Sequence, residues 1–178
     1  SSIAHAGYAM IGLVALSELG TASLVFYIAT YILTNLVAFA VVIVFTRTAG
    51  SEEIEDYAGL SRRAPFLSLA LLIAMLSLGG MPPLVGFVAK FYVFASAVQS
   101  GWIWLAFVGV INAIIGLYYY LTVLKVVYLY RSEKDDVVVR VPRSYAFVLA
   151  LCSLAIILIG SLSGPWIDWA LNIASSLF

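Results

Sequence analysis

The sequence predicts an all-α fold, a polytopic transmembrane helix bundle, on three observations. Mean hydropathy is +1.10. Hydrophobic residues make up 64% of the 178 positions and charged residues 10%, against about a quarter charged in soluble domains. Apolar runs of membrane length recur along the chain, and a helix needs about 20 such residues to cross about 30 Å of hydrocarbon. The lipid bilayer is therefore the expected solvent. Formal net charge is zero, which gives no pull toward nucleic acid, so the information lies in where the charges sit.

Five crossings are expected: Ser2 to Ser17, Ala22 to Thr46, Pro65 to Gln99, Gly101 to Tyr130 and Ser144 to Leu162. The first is apolar from Ile3 to Leu16 and stops at Glu18 and Gly20. The second runs to Arg47. The fourth carries Trp102, Trp104, Tyr128 and Tyr130 at its ends, residues that favour headgroup depth. After Gly164-Pro165 the segment 165–177, which includes Asp168 and Asn172, reads as a short helix at the membrane surface. The first residues hold neither Met nor a basic stretch, so they are no signal peptide, and the chain is expected to begin inside a larger protein. An odd number of crossings puts Ser1 inside and Phe178 outside.

The third crossing is expected to be discontinuous. Gly79-Gly80-Met81-Pro82-Pro83 interrupts it near its middle; two prolines remove two backbone donors, and Pro82 turns Met81 away from helical geometry. Each half is then about 15 residues, or about 22 Å, too short to cross alone. Charge separates one broken crossing from two short ones. With one, the loops 46–64 and 131–144 share a side, and Arg47, Arg62, Arg63, Arg131, Lys134, Arg140 and Arg143 all become cytoplasmic, the positive-inside pattern. With two, the basic residues divide between the sides.

Interrupted membrane helices accompany ion and substrate sites because their freed carbonyls and amides line a cavity away from lipid. Seven residues after Pro83 comes Lys90, deep in apolar sequence. A lysine suits proton handling, since loss of water destabilises an ammonium and lets a nearby charge load or unload it; the alternative is a stem that snorkels toward Val98. Lys125 stands close before Arg131 and is either an interfacial anchor or the inner exit of a proton path. His5 is either a relay or a packing residue. Thr30, Thr34, Asn35 and Asn112 are read as interhelical hydrogen-bonding or cavity-lining groups, and at least one hydroxyl of Tyr118-Tyr119-Tyr120 is expected to face inward. The acidic loop Glu52-Glu53-Ile54-Glu55-Asp56 and the following Arg62-Arg63 read as a solvated linker with interface anchors. Cys152 is a lone packing residue. The sequence contains no Gly-rich phosphate loop, no paired metal-ligand motif and no Ser/His/Asp grouping, so no metal, cofactor or covalent catalytic centre is expected in this chain.

Ser1-Ser2-Ile3-Ala4-His5-Ala6-Gly7-Tyr8, Glu55-Asp56-Tyr57-Ala58-Gly59-Leu60, Leu76-Ser77-Leu78-Gly79-Gly80-Met81-Pro82-Pro83, Gly86-Phe87-Val88-Ala89-Lys90-Phe91-Tyr92 and Tyr118-Tyr119-Tyr120-Leu121 together resemble the C-terminal part of the subunit N family of bacterial respiratory complex I, the antiporter-like subunits of NADH:quinone oxidoreductase. The resemblance implies the last five helices of a fourteen-helix subunit in the bacterial inner membrane. It implies a discontinuous helix whose lysine, matched by Lys90, takes part in proton transfer, and a histidine, matched by His5, near a central hydrophilic axis. It implies further membrane subunits as partners, with NADH, flavin, iron–sulfur clusters and quinone handled by other chains of a proton-pumping enzyme. The multisubunit sodium/proton antiporters share the broken helix and its lysine and are the alternative; a non-conducting assembly scaffold is a third reading.

Overall fold

The computed structural model describes residues 1–132, 138–139 and 141–176, so Lys134, Arg140 and Phe178 lie outside the described residues. Within them the order is α1 (Ser2–Val14), α2 (Glu18–Ala49), a 3-10 turn (Ile54–Tyr57), α3 (Leu60–Arg63), α4 (Pro65–Gly79), α5 (Val85–Gln99), α6 (Ile103–Leu129), α7 (Arg143–Ser161) and α8 (Gly164–Ser175).

The chain is an all-α membrane bundle with a discontinuous long helix, and fewer of its helices are long enough to cross alone than the five crossings expected. Among the described residues three helices, α2, α6 and α7, are long and apolar enough to cross alone. The segment Ser2 to Ser17 yields only the 13 residues of α1, about 20 Å of helix. It stops because the chain turns through Leu16, at φ 45°, into Ser17, whose Oγ accepts the Gly20 N–H at 3.0 Å. That cap starts α2 at Glu18, four residues before the expected Ala22, and Glu18 then sits in the first turn, where the helix dipole favours a carboxylate. Instead of starting at the basic end, α1 starts beside Tyr120, nine residues before the end of α6.

Two sets of links gather at opposite ends of the bundle. Ser100 Oγ donates to the Ala15 carbonyl at 2.8 Å, tying the α1–α2 and α5–α6 links together. At the other end Val139 N–H donates to the Arg63 carbonyl at 3.1 Å, and Arg47 donates to Tyr145 Oη at 3.2 Å. The chain enters α4 just after Arg63 and leaves α5 just before Ser100. The two 15-residue half-helices in series thus carry it from the basic end to the opposite one.

Between helices in lipid there is little hydrophobic drive, so association depends on close packing of small residues. α2 is the central element and meets α1, α4, α5, α7 and α8. Its buried Ala22, Val37 and Val41 share one packed core with the equally buried Ala70, Ala74, Ala89, Val93 and Ala97 of the half-helices. α8 buries Ile167, Ala170 and Ala174 along one stripe and leaves Asp168 and Asn172 exposed. The loop after α2 departs from a plain solvated linker. Its carboxylates at 52–56 are exposed, but Tyr57, Leu60 and Arg63 are buried, with the Tyr57 ring stacked on Phe45 at 3.9 Å.

Candidate functional site

The break in the long helix follows from proline chemistry. Continued helix would offer the carbonyls of Leu78 and Gly79 to the N–H groups of residues 82 and 83, and both are proline. The preceding carbonyls are closed off locally. Gly80, at φ 84°, donates to Ser77 O at 3.0 Å, and Met81 donates to Leu76 O at 2.9 Å. The Leu78 carbonyl is instead taken by Lys90 Nζ at 2.7 Å. Lys90 reaches back from the second turn of α5 to the acceptor that the break exposes.

Two close approaches hold that geometry. A Cβ on Gly86 would lie 1.8 Å from the Ser77 carbonyl oxygen, so only glycine lets α5 start against the end of α4; the Gly86 N–H also donates to Ser77 Oγ at 3.2 Å. On α7, a Cβ on Gly160 would lie 2.3 Å from the Pro83 carbonyl oxygen, so α7 seats its backbone on the break. Gly79 is buried, while Met81, Pro82 and Pro83 lie on the exposed flank.

Lys90 is 6% exposed. Its ammonium stands 5.1 Å from the centre of the Tyr8 ring, and its hydrogen-bond partner among the described residues is a carbonyl. A buried ammonium is held here by neutral dipoles and a π face, which cost little to leave if the proton departs. Tyr8 Oη in turn accepts from Asn112 Nδ2 at 3.1 Å. His5, also buried, bonds through Nδ1 to Tyr27 Oη at 2.7 Å and through Nε2 to Tyr120 Oη at 3.1 Å. Its ring stacks on Tyr31 at 4.6 Å. Lys90 and His5 both border two spaces. One is a crevice of about 10 Å³ beside Thr30, Thr34 and Ser77, room for about one water. The other, of about 150 Å³, is bounded by Ser1, Asn112, Tyr119 and Tyr120.

Residues 1–116 match the family described as NADH:quinone oxidoreductase/Mrp antiporter, TM. The chain belongs to this family. Subunit N of NADH-quinone oxidoreductase from Moorella thermoacetica is 38% identical over all of this chain, which spans 37% of that protein's length. Subunit 2 of the NAD(P)H-quinone oxidoreductase of Synechocystis is 46% identical over 79% of this chain and 27% of its own length. Among solved structures, respiratory complex I from Thermus thermophilus superposes with a TM-score of 0.78 at 31% identity, covering 94% of this chain and 38% of that one. The Mrp complex from Dietzia gives 0.87 at 18% identity, over 97% of this chain and 40% of that one, a likeness of fold. The chain thus spans between 27% and 40% of the length of these relatives. It is related to membrane subunits of oxidoreductase and antiporter complexes, and it is a multi-pass protein of the bacterial inner membrane. Among the described residues no group of three or more His, Cys, Asp or Glu is placed to hold a metal ion.

Within this family member, the structure brings Lys90 and His5 together and leaves Lys125 apart. Lys125 is exposed, with its ammonium 5.6 Å from the Tyr130 ring centre at the basic end. Of the three consecutive tyrosines, Tyr118 and Tyr119 are exposed and Tyr120 turns inward to His5. Thr30 and Thr34 donate to carbonyls of their own helix, Tyr27 and Thr30, and Thr34 also meets Ser77 across to α4 at 3.5 Å. Asn35 likewise donates to Tyr31 O.

Sequence reasoning missed Tyr8, Tyr27, Tyr31 and Ser77. A signal for three of them was present: Tyr27, Thr30, Tyr31 and Thr34 follow the i, i+3, i+4, i+7 spacing of one helix face, and Tyr8 is three residues after His5. Nothing in the sequence pointed to Gly160.

Proposed function

We propose that this chain carries part of the proton path of an N-type membrane subunit of NADH:quinone oxidoreductase, in which quinone reduction is coupled to proton transfer across the membrane. NADH, flavin, iron–sulfur and quinone chemistry belong to partner subunits. In this reading Lys90 accepts and releases the proton and His5 relays it. The observation that carries it is the bond from the buried Lys90 ammonium to the Leu78 carbonyl left open by Pro82. The amine is thereby fixed beside two polar spaces with no carboxylate bonded to it among the described residues, so a charge change on a neighbouring group acts on it through low dielectric. The exposed position of Lys125 over Tyr130 supports its role as an interfacial anchor rather than a relay.

Five traverses form part of the same proposal, made by α1, α2, α4 with α5, α6 and α7, with α8 at the surface and the chain forming the C-terminal region of one antiporter-like domain. The gathering of links at two ends supports this count, α4 and α5 being one traverse in series. A sodium/proton antiporter subunit is the second reading, favoured by the fold likeness to the Mrp complex.

The test is the rate of proton uptake, measured together with that of quinone reduction, in inverted vesicles whose assembled complex carries Lys90→Met. A fall in uptake with linked quinone reduction, at normal assembly, is expected; wild-type uptake would sink the assignment. Uptake that depends on sodium and not on quinone turnover would favour the antiporter reading.

A further inference from the structure

His5 has both ring nitrogens engaged by tyrosine, Nδ1 with Tyr27 at 2.7 Å and Nε2 with Tyr120 at 3.1 Å, and Tyr120 Oη is bonded on its other side to Ser1 Oγ. A neutral imidazole offers one N–H and one lone pair. The two tyrosines therefore cannot play the same part: one donates to the ring and the other accepts from it. The string Tyr120–His5–Tyr27 has a direction, and two directions are open to it. Its ends also face different spaces. Tyr27 borders the one-water crevice with Thr30, Thr34 and Ser77, whereas Tyr120 borders the larger cavity with Asn112; His5 stands between the two.

We propose that Tyr120, His5 and Tyr27 form a hydrogen-bonded wire that carries one proton between these spaces and reverses its direction as it does so. The proposal rests on the chain's being part of a proton path and adds two transfer residues to it. A proton from water in the larger cavity forms a new O–H bond on Tyr120 while its original phenolic O–H bond breaks and that proton bonds to His5 Nε2. The Nδ1–H bond breaks and its proton bonds to the Tyr27 oxygen, and the original Tyr27 hydroxyl proton leaves to water in the smaller crevice. One proton enters, one leaves, and every member ends neutral.

The ring now holds its hydrogen on Nε2, so the wire is set against a second proton in the same direction. Resetting it requires the ring to turn over or the protons to return. Turning over is hindered, since the ring is 5% exposed, stacked on Tyr31 at 4.6 Å and met edge-on by Tyr8 at 5.7 Å. Such a wire passes one proton per reset and resists continuous leak. Lys90, which borders both spaces without belonging to the string, can exchange protons with either end through water.

The experiment measures the rate of proton uptake, and its solvent deuterium isotope effect, in inverted vesicles carrying the whole assembled complex with Tyr27→Phe, Tyr120→Phe or Tyr118→Phe. Phenylalanine keeps each ring and removes its hydroxyl. Uptake is expected to fall about tenfold or more for the first two, the scale of a lost proton-transfer group, with a changed isotope effect, and to stay at wild-type level for the outward-facing Tyr118. If either variant impairs assembly, 3-fluorotyrosine at 27 or 120 alters hydroxyl acidity at nearly constant volume, and the uptake rate is expected to change with it. Wild-type uptake and isotope effect in the two variants, alongside lost uptake in Lys90→Met, would overturn the wire and leave the proton-path reading standing. Wild-type uptake in Lys90→Met would remove that reading itself.

Discussion

Lys90 and Lys125 are two lysines within apolar helices, and their surroundings could hardly differ more. Lys90 sits on a half-helix behind a proline break, 6% exposed and bonded to a carbonyl. Lys125 sits on the unbroken α6, exposed, over the Tyr130 ring near the basic end. An unbroken helix has spent its carbonyls on its own N–H groups and offers a buried ammonium nothing, so its lysine must lie at the surface. The broken helix supplies an acceptor at depth. What sets the two lysines apart is thus the backbone beside each.

The largest expected effect tests this contrast directly. Lys90→Met should abolish most uptake in the assembled complex, whereas Lys125→Met should leave the uptake rate within about twofold of wild type, the scale of a surface electrostatic change. Equal losses at both positions would break the comparison and return Lys125 to the proton path. The next effect falls on the break itself. Gly86→Ala puts a methyl 1.8 Å from the Ser77 carbonyl oxygen, an overlap that backbone must relieve. Overpacking of this kind costs about 1–3 kcal/mol or more, seen as reduced assembly or a lower melting midpoint in detergent. Gly7, whose Cβ would meet nothing within 4 Å, is the matched control, with Gly7→Ala expected within about 0.5 kcal/mol of wild type. Ser77→Ala should follow with a loss of about 1 kcal/mol, the net value of the Gly86 N–H bond it removes.

The break and Lys90 were legible in the sequence because proline and charge are local signals: Pro82 and Pro83 orphan carbonyls whatever surrounds them, and a lysine in an apolar run must be dealt with. Loop charge also correctly placed Arg47 and Arg63 at the end shared with Tyr145 and Val139. The hydroxyl partners of His5 were not legible. They depend on the rotation of α2 and α6 about their axes, and hydropathy carries no phase in helices as uniformly apolar as these. The start of α2 was misplaced by reading Glu18 as a span breaker rather than as a first-turn carboxylate behind the Ser17 cap. The loop after α2 was misread from its acidic composition, which concealed the apolar Tyr57 and Leu60 that fold it back.

That loop holds the smallest expected effect and gives the comparison its counterpart at the basic end. Tyr57 is buried on Phe45, and its Oη has no hydrogen-bond partner among the described residues. Burial, helped by Glu52, pushes its hydroxyl up to about 12 from an ordinary value of 10.0. The sign follows from the neutral phenol being the form that fits. Below about pH 10 both folded and unfolded chains keep the proton and the packing is at full strength, while between 10 and about 12 the unfolded chain ionises first and stability drains away. The difference in tyrosinate absorbance between the wild type and Tyr57→Phe should show a group that titrates late and loosens the loop as it does. Tyr57→Phe keeps the stack and removes the unpaired hydroxyl, so stability at neutral pH should hold or rise by up to about 1 kcal/mol, and the alkaline loss should shrink. A drop of that size at neutral pH would instead mean that the hydroxyl is bonded, and that the basic end, like the site around Lys90, is built on a buried polar contact.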